Sequence, residues 1–365
     1  MTDIAFFLVN LNGGGAEKVM LSLASGFAEK GLKVDLVVAI LEGEYLSLVS
    51  PKVRLIDLKS SRLISSLPSL ISYLRQNRPQ VLISALEDPN TIAVIAKRLA
   101  GVSTSVILTV HNHLSRASKQ SKNLKVKLIP LFVRLFYSWA DGIVAVSQGV
   151  AEDAAQMSNL PLDKVKVIYN PIFTNDLIEK FDQPVNHSWF LQNQPPVILG
   201  VGRLTKQKDF PTLIRAFALV KKQYSARLMI LGQGEDLPSL QALVTELGLE
   251  EDVCFPGFVP NPYAYMKQAS LCVLSSIFEG FGNVLVEAML AGTPVVSTDC
   301  ESGPAEILAD GKYGDLVAVG DFESLATAMI NTLKNPLDSQ LLQKRGQEFS
   351  LEAALTKYEQ LLKSN

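Results

Sequence analysis

Two glutamates eight positions apart enclose a glycine-rich segment, Phe278-Glu279-Gly280-Phe281-Gly282-Asn283-Val284-Leu285-Val286-Glu287. Apolar residues then recur at helical spacing and Gly292 stands where a C-terminal cap is expected, so a helix is predicted after the glycines. The first glutamate precedes this helix and the second lies on its second turn. Glycines admit a ligand close to the backbone, and a helix N-terminus offers free N–H groups to an anion. The segment therefore predicts a phosphate site with a carboxylate on either side for hydroxyl groups, which suits a nucleotide sugar.

A cationic loop, Gly202-Arg203-Leu204-Thr205-Lys206-Gln207-Lys208, follows an apolar run at residues 197–201. Arg203 offers a planar, bidentate fork of donors, and Lys208 is a mobile point charge. Lying between a predicted strand and a predicted helix, the two can clamp a diphosphate. A solvated basic loop is the alternative interpretation.

A glycine turn, Gly13-Gly14-Gly15-Ala16-Glu17, follows the first apolar run. It does not complete the dinucleotide-binding pattern, because Lys18 occupies the third position, where close helix–strand packing needs Gly or Ala. A phosphate loop of the Walker type is also missing from the sequence.

Two of the three histidines, His111 and His113, follow the predicted strand at residues 106–110. A metal site would need further ligands, and the spacing suggests none. An isolated histidine at a strand end is more often a packed or capping residue than a catalytic one. His113 is interpreted as a loop residue.

The elements that must position these residues alternate along the chain. In the first half, near-continuous apolar runs predict buried parallel strands at residues 4–9, 34–39, 81–85, 106–110, 142–146 and 165–169. The pattern restarts with strands at residues 197–201, 228–231, 253–255, 271–274 and 295–297. The prediction is an α/β protein with two Rossmann-like, doubly wound domains at residues 1–171 and 172–345, and a C-terminal helix, residues 346–365, packing back on the first. Residues 170–196 are interpreted as the connection, and the active site is expected in the cleft between the domains.

Bulk composition agrees with this organisation. The chain has 365 residues, 48% of them hydrophobic, which favours two well-packed domains. Cys254, Cys272 and Cys300 have no metal-ligand spacing and are expected to be buried and reduced, as in a cytoplasmic protein. No secretory signal is expected at the N-terminus, and no apolar run reaches the roughly 18 residues of a membrane span.

The glutamate segment and its continuation, Ala288-Met289 and Gly292-Thr293-Pro294-Val295-Val296, resemble retaining glycosyltransferases of the GT-B fold. That large family, the family-four or "group 1" type, includes bacterial polysaccharide and lipid-linked-oligosaccharide transferases. The resemblance covers nearly the whole chain and is strongest over residues 197–321. It implies a metal-independent hexosyltransferase with no resident cofactor, whose substrate is a nucleotide sugar, expected to be a UDP-hexose or UDP-N-acetylhexosamine.

The resemblance also implies roles for individual residues. Glu287 would hold the ribose hydroxyls, Glu279 and His111 the hexose, and Arg203 with Lys208 the leaving nucleoside diphosphate. Lys206 is expected to face solvent. The remaining donor-binding positions are Gly14, Gly15, Gly202, Gly280, Phe281, Gly282, Asn283 and Val284. Residues 302–306 are similar to another turn of the family near the donor.

A basic segment at residues 115–127 lacks any acid and runs into an apolar stretch at residues 128–139. Its cations, among them Arg116, Lys119 and Lys122, suit an anionic acceptor or a membrane surface. The alternative is a solvated loop, and the apolar stretch is predicted to be an ordinary buried helix. Residues 1–171 carry 19 Lys and Arg against 13 Asp and Glu, so the first half is basic overall.

The leading functional hypothesis is transfer to a glycan acceptor, lipid-linked or polysaccharide, at the inner face of the cytoplasmic membrane, with no nucleic-acid partner. A soluble acceptor is an alternative. Two other classes stay open from the residues alone: a two-domain nicotinamide-dependent oxidoreductase, disfavoured by Lys18, and a non-catalytic sugar-binding protein, disfavoured by the Arg203 and Lys208 pair.

Overall fold

The computed structural model describes residues 2–120 and 124–364, and the chain divides into two α/β units. The first unit comprises Met1–Pro171 together with Leu351–Asn365, and the second comprises Ile172–Ser350. The chain therefore passes between the units twice.

Strands and helices alternate along most of the described chain. The strands are β1 (Ile4–Leu8), β2 (Val34–Val38), β3 (Arg54–Asp57), β4 (Val81–Ala85), β5 (Ser105–Val110), β6 (Gly142–Ala145), β7 (Val165–Val167), β8 (Val197–Val201), β9 (Arg227–Leu231), β10 (Val253–Gly257), β11 (Leu271–Leu274), β12 (Val295–Thr298) and β13 (Asp315–Val317). The helices are α1 (Gly15–Glu29), α2 (Leu67–Asn77), α3 (Glu87–Ala100), α4 (Leu114–Gln120), α5 (Leu124–Phe136), α6 (Gln148–Ser158), α7 (Asn175–Phe181), α8 (Phe210–Lys221), α9 (Leu237–Glu246), α10 (Pro262–Gln268), α11 (Asn283–Leu290), α12 (Pro304–Leu308), α13 (Phe322–Lys334), α14 (Ser339–Gln347) and α15 (Leu351–Ser364). No helix among these residues is both long and apolar enough to cross a bilayer.

The described part of the first unit contains a seven-stranded sheet in the order β3-β2-β1-β4-β5-β6-β7. All its neighbouring strands pair in parallel. Every residue of β1, β2 and β4 is buried, as the near-continuous apolar runs predict for strands covered on both faces. The strand order reverses between β1 and β4, so the carboxyl ends of these two strands flank a crevice where ligands commonly bind.

The second unit contains a six-stranded sheet in the order β10-β9-β8-β11-β12-β13, again parallel throughout its described pairs. Its reversal lies between β8 and β11. The predicted fold class, two doubly wound α/β domains, is confirmed. Two edge strands escaped prediction, β3 and β13, because they span only four and three residues and include charged positions.

Two regions differ from expectation. Residues 170–196, predicted to be an aperiodic connection, instead belong to the second unit from Ile172 onward and contribute α7 to it, where the Asn261 Nδ2 donates to the Lys180 carbonyl at 2.8 Å. Residues 128–139 are helical to Phe136 and continue in a 3-10 turn, but the prediction that they are buried is wrong. Large apolar side chains on this segment face solvent, with Leu131 51% and Leu135 52% exposed.

The C-terminal helix α15 packs against α1 of the first unit. A Cβ atom on Gly26 would lie 2.7 Å from the Leu355 side chain, so any larger residue there would require the leucine to shift. The Phe27 and Tyr358 rings meet edge to face at a centroid distance of 6.5 Å. At the rim of the contact, the Lys30 ammonium bonds Glu352 at 3.0 Å and Glu359 at 2.9 Å.

A buried carboxylate joins the edge of the first sheet to α2. Asp35 on β2 accepts hydrogen bonds from Arg54 on β3 at 2.6 and 2.8 Å, from the Tyr73 hydroxyl at 2.6 Å and from the Thr2 hydroxyl at 3.0 Å. Burial alone would raise the pKa of Asp35, but the hydrogen bonds outweigh it, so the pKa lies below its usual value. The carboxylate is therefore ionised in the folded chain at neutral pH.

Replacing Tyr73 by Phe is expected to destabilise the first unit by about 2 kcal/mol at pH 7, the usual worth of a hydrogen bond to a buried charge. Because the folded pKa of Asp35 is lowered, its hydrogen bonds stabilise the fold above the unfolded carboxyl pKa of about 3.9 and are lost as the pH falls through the folded value. The difference in melting temperature between wild type and Y73F should thus shrink below about pH 4. Y358F removes a hydroxyl with no hydrogen-bond partner in the described chain and serves as the control. An equal loss in Y73F at all pH values would contradict the assignment.

Candidate active site

Three loops meet at the carboxyl ends of β8, β11 and β12, beside the reversal of strand order in the second unit. The cationic loop predicted to bind diphosphate follows β8, and the glutamate segment follows β11. The loop at residues 302–303 follows β12 and leads into α12. The sheet therefore brings together three segments that lie between Gly202 and Gly303 in the sequence.

Backbone and side-chain hydrogen bonds join the first two loops. The Ile277 N–H donates to the Gln207 carbonyl at 2.8 Å, and the Gln207 Nε2 donates to the Phe278 carbonyl at 3.0 Å. The Ser275 hydroxyl donates to the Lys208 carbonyl at 2.8 Å. With three such bonds, the position of the lysine and the position of the glutamate turn are set together.

At the centre of these loops, Lys208 contacts Glu279. The Lys208 Nζ lies 2.6 Å from the Glu279 Oε1, and the Ser276 hydroxyl donates to the same oxygen at 2.6 Å. The two charged side chains are only 16% and 10% exposed. The Glu279 Oε2 has no partner within the described residues, and the ammonium has donors beyond the one used here. With the salt bridge intact, Glu279 can therefore accept a hydrogen bond from a hydroxyl group, and Lys208 can donate one to an anion.

The glutamate turn depends on glycines whose conformation other residues rarely adopt. Gly282 has φ of +95° and forms the N-cap of α11. Gly303, with φ of +91°, lies so close to the turn that a Cβ would fall 1.8 Å from the Phe281 carbonyl oxygen. The Glu279 N–H also donates to the Glu301 carbonyl at 3.4 Å. The loop after β12 thus fixes the backbone that carries Glu279.

The structure places the second glutamate as the sequence predicts. Helix α11 begins at Asn283, so Glu287 lies on its second turn, and Gly292 has φ of +79° just past its end. The Glu287 Oε1 accepts from the Tyr263 hydroxyl at 3.3 Å, which orients the half-buried carboxylate. The Tyr263 ring in turn meets Phe181 of α7 edge to face.

The other predicted site residues of this unit differ in their solvent exposure. Arg203 and Lys206 are exposed, the latter as expected, and Asn283 and Val284 are half-buried at the start of α11. The Phe281 ring is buried against Phe349 at a centroid distance of 5.4 Å. Phe281 can therefore contribute its backbone but not its ring to a ligand. The two flanking glycines, Gly280 and Gly282, are buried in the turn, and a Cβ on Gly202 would lie 3.0 Å from the Lys208 side chain.

In the first unit, predicted site residues lie at the carboxyl ends of β1 and β5, the two strands on either side of β4. Gly14 is the N-cap of α1, and Gly15 is its first residue, directly after the loop from β1. His111 follows β5, and its Nε2 lies 3.0 Å from the Thr109 hydroxyl oxygen. That hydroxyl donates its one proton to the Ser84 carbonyl, so Nε2 is assigned as the protonated nitrogen and Nδ1 as an acceptor. Burial lowers the pKa of His111 to about 4, so the ring is neutral at pH 7.

Glu87 was not anticipated from the sequence. It begins α3 directly after β4, where Leu86 adopts a positive φ of 74°, and its Oε1 accepts from the Asn112 amide at 3.4 Å. Burial raises the pKa of this carboxyl above its usual value. Neither composition nor periodicity predicts the positive φ of Leu86 that places Glu87 here. Glu87 and His111 thus follow neighbouring strands and are both biased toward their neutral forms.

His113, interpreted as a loop residue, is buried and paired. Its Nδ1 lies 3.4 Å from the Asp153 carboxylate of α6, which also accepts from the Ser115 N–H at 3.1 Å. The pair fixes the start of α4 and so has a structural role. On α4, Arg116 and Lys119 are exposed, whereas Lys122 lies outside the described residues.

Comparison with known proteins decides the family. The model for Glycosyltransferase Family 4 matches residues 13–176, and the model for Glycosyl transferases group 1 matches residues 185–349. The N-acetylgalactosamine-N,N'-diacetylbacillosaminyl-diphospho-undecaprenol 4-alpha-N-acetylgalactosaminyltransferase of Campylobacter jejuni is 33% identical over 356 residues, 94% of this chain and 92% of the relative. The chain belongs to the family 4 glycosyltransferases.

Two further comparisons agree with this assignment. The amylovoran biosynthesis glycosyltransferase AmsD of Erwinia amylovora is 29% identical over 327 residues, 88% of this chain and 87% of the relative. The crystal structure of HepE from Anabaena in complex with UDP-glucose aligns with a TM-score of 0.80 and 22% identity over 100% of both chains. The predicted GT-B fold is confirmed. As a family 4 glycosyltransferase, the chain is a transferase, so the oxidoreductase and the non-catalytic binding protein are set aside.

In this glycosyltransferase, replacing Lys208 by Met leaves the buried Glu279 carboxylate without its cation. The expected cost is about 3 kcal/mol, which lowers the melting temperature of a unit of this size by roughly 6–12 °C. The double variant K208M/E279Q should recover much of the loss, because no unpaired charge remains. Calorimetry on the two single variants and the double variant measures the coupling. Additive losses would show that the two side chains do not interact.

Replacing Glu87 by Gln is expected to stabilise the first unit as the pH rises. Because the folded pKa of Glu87 is raised, the unfolded chain loses this proton first, and the stability of the wild type falls with pH from the unfolded pKa of about 4.3 up to the folded value. The amide removes that cost, so the melting temperature of E87Q should exceed that of wild type at pH 8 by a few degrees and equal it near pH 4. The exposed Glu29→Gln is the control. A pH-independent difference would contradict the burial of an ionisable group here.

Proposed function

We propose that this enzyme is a retaining, metal-independent hexosyltransferase that acts in cell-surface polysaccharide or oligosaccharide assembly. It moves a hexose or N-acetylhexosamine from a nucleotide sugar, UDP-linked, to a glycan acceptor that is itself lipid-linked. The observation that carries the proposal is the contact of Lys208 with Glu279 beside the α11 N-terminus, since it joins a cation for the diphosphate to a carboxylate for the sugar.

The donor diphosphate is held by positive charge from the protein. Lys208 keeps donors for it after pairing with Glu279, and Arg203 supplies an exposed guanidinium from the same loop. The N-terminal end of the α11 dipole and the backbone of Gly280, Gly282 and Gly202 add partial positive charge that suits an anion. Fixed charge of this kind stabilises a departing diphosphate in the way that a divalent cation does in other transferases.

The sugar and the ribose are held by carboxylates and by His111. The Oε2 of Glu279 accepts from a hexose hydroxyl, and Glu287, oriented by Tyr263, accepts from the ribose hydroxyls. The Nδ1 of the neutral His111 ring accepts from a further hydroxyl of the hexose, and Gly14 and Gly15 bring the backbone of the first unit to the diphosphate.

In the proposed reaction, the bond between the anomeric carbon and the diphosphate oxygen breaks, and the acceptor hydroxyl oxygen attacks the same face of the sugar. The acceptor proton passes to the departing diphosphate oxygen, which gains negative charge as the bond breaks. Transfer on one face retains the anomeric configuration. Lys208 and Arg203 stabilise the charge that develops on the leaving group.

Two relatives support the choice of donor and acceptor. The Campylobacter jejuni enzyme is named for transfer of N-acetylgalactosamine to a sugar on diphospho-undecaprenol, and the HepE structure contains UDP-glucose. A lipid-linked acceptor would place this enzyme at the inner face of the cytoplasmic membrane, with Arg116 and Lys119 on the acceptor side.

The donor is tested by thermal shift with UDP, GDP, ADP and NAD. UDP should raise the melting temperature of wild type in proportion to its occupancy and should have little effect on E287A or R203A. K206A, which removes an exposed cation from the same loop, is the matched control and should respond as wild type does. Stabilisation by another nucleotide corrects the base, and stabilisation by NAD alone or by none of the four overturns the donor site.

Once the nucleotide is identified, the enzyme is incubated with sugars linked to that nucleotide and with one of two acceptors. The acceptors are an undecaprenyl-diphosphate glycan and the same glycan without the lipid. NMR of the product gives the anomeric configuration, and inversion would overturn the retaining mechanism. Equal transfer to the free glycan would favour a soluble acceptor.

A further inference from the structure

The outer side of α5 carries a continuous apolar surface. Its residues recur three or four positions apart along the helix and continue into the following 3-10 turn, and each of them is 37–52% exposed. They are Leu128, Leu131, Phe132, Leu135 and Trp139, and together they are called the α5 face. The inner side of the same segment is buried through Val133 and Tyr137, each 1% exposed, and the helix packs on α3 and α6.

The α5 face is organised rather than scattered. The Phe132 and Phe136 rings stack at a centroid distance of 6.1 Å, and Phe136 meets Trp139 edge to face at 4.9 Å. The Arg98 guanidinium lies 4.5 Å above the Trp139 ring. Exposed apolar residues that occur singly need no explanation, but a contiguous patch on an ordered helix indicates an interaction site.

The charged side chains of the segment that carries the α5 face are all cationic. From residue 115 to residue 139 the chain has six Lys and Arg and no Asp or Glu. Of these cations, Lys119, Lys127 and Arg134 are exposed on α4 and α5. A helix with an apolar face bordered by cations and a nearby tryptophan has the composition of elements that lie in the interface of an anionic membrane.

The alternative occupants fit these charges less well. A second copy of the chain packed on the same face through a two-fold axis would bring the cations of one copy, Lys127 and Arg134, near the same cations of the other, and like charges repel. An anionic lipid surface instead meets the cations with phosphate groups and the apolar side chains with acyl chains.

We infer that the α5 face inserts into the boundary between headgroups and acyl chains of an anionic bilayer and holds the enzyme on the membrane. The helix lies in the plane of the interface, with Lys119, Lys127 and Arg134 against lipid phosphates. This inference rests on the proposed function in one respect, because a lipid-linked acceptor is presented at such a surface.

The test is sedimentation of the full chain with vesicles of phosphatidylglycerol and phosphatidylcholine, compared with vesicles of phosphatidylcholine alone. Wild type is expected to bind the anionic vesicles and to bind less as salt rises, because charges at the surface are screened. The double variant L131Q/L135Q should bind them at least about tenfold more weakly, since the burial of two leucine side chains in the apolar region is lost. The matched control is I64Q/L162Q, which changes two similarly exposed apolar residues on other turns of the first unit.

A thermal shift with UDP is run on every variant and separates this inference from the donor assignment. If L131Q/L135Q retains the UDP-induced rise in melting temperature but no longer binds vesicles, the α5 face is the membrane contact. If wild type does not bind anionic vesicles, or if both double variants lose binding equally, the inference is overturned whatever the nucleotide result.

Analytical ultracentrifugation of wild type and L131Q/L135Q tests whether a second copy of the chain occupies the α5 face. A wild-type dimer that the variant dissolves, with no vesicle binding by either protein, would assign the face to a second copy and overturn the membrane contact.

Discussion

The candidate active site depends on one contact between opposite charges in a place where neither charge could remain alone. Lys208 and Glu279 lie 71 positions apart and belong to loops after different strands, yet their side chains meet at 2.6 Å with little exposure. An unpaired carboxylate at this position would be costly, so the pair constrains both loops to a single arrangement. The Ser275, Ser276 and Gln207 hydrogen bonds reinforce that arrangement. Charged groups held in place by such bonds are the kind of fixed charge that stabilises developing charge most effectively.

The glycines around this contact are required by distance as much as by conformation. A Cβ on Gly303 would fall 1.8 Å from the Phe281 carbonyl oxygen, and one on Gly232 would fall 1.9 Å from the Gly202 carbonyl oxygen. Both positions also have positive φ. Gly232 follows β9, so it lets that loop approach the cationic loop, while Gly303 lets the loop after β12 approach the glutamate turn. Each side of the candidate site is thus supported by a neighbouring loop that can come this close only because a side chain is missing there.

The central strands and the start of α11 could be predicted from the sequence. Strands that are buried on both faces appear as apolar runs, and a helix start is indicated by glycines followed by apolar residues at helical spacing. The positions of Glu279 before α11 and Glu287 on its second turn followed from that reasoning. Three features did not follow. The strands β3 and β13 are short edges with charged residues, which no apolar run marks. Glu87 depends on the backbone at Leu86, which periodicity does not report. The α5 face was wrongly predicted to be buried, because an apolar stripe shows that one side of a helix avoids water but not what covers it.

The two sheets place groups of contrasting electrostatic character at the carboxyl ends of their central strands. Each site lies at the reversal of strand order, beside β1 and β4 in the first unit and beside β8 and β11 in the second. In the second unit these positions carry a lysine and a glutamate in direct ionic contact, which suits a substrate with a charged diphosphate. In the first unit, Glu87 follows β4 and His111 follows the neighbouring strand β5, and burial shifts the pKa values of both groups toward the neutral forms. Neutral donors and acceptors are matched to hydroxyl groups, since they hydrogen-bond without requiring a counter-charge. One architecture repeated along the chain thereby carries an ionic pair at the strand ends of one unit and neutral hydrogen-bonding groups at those of the other, and the difference lies in a few residues.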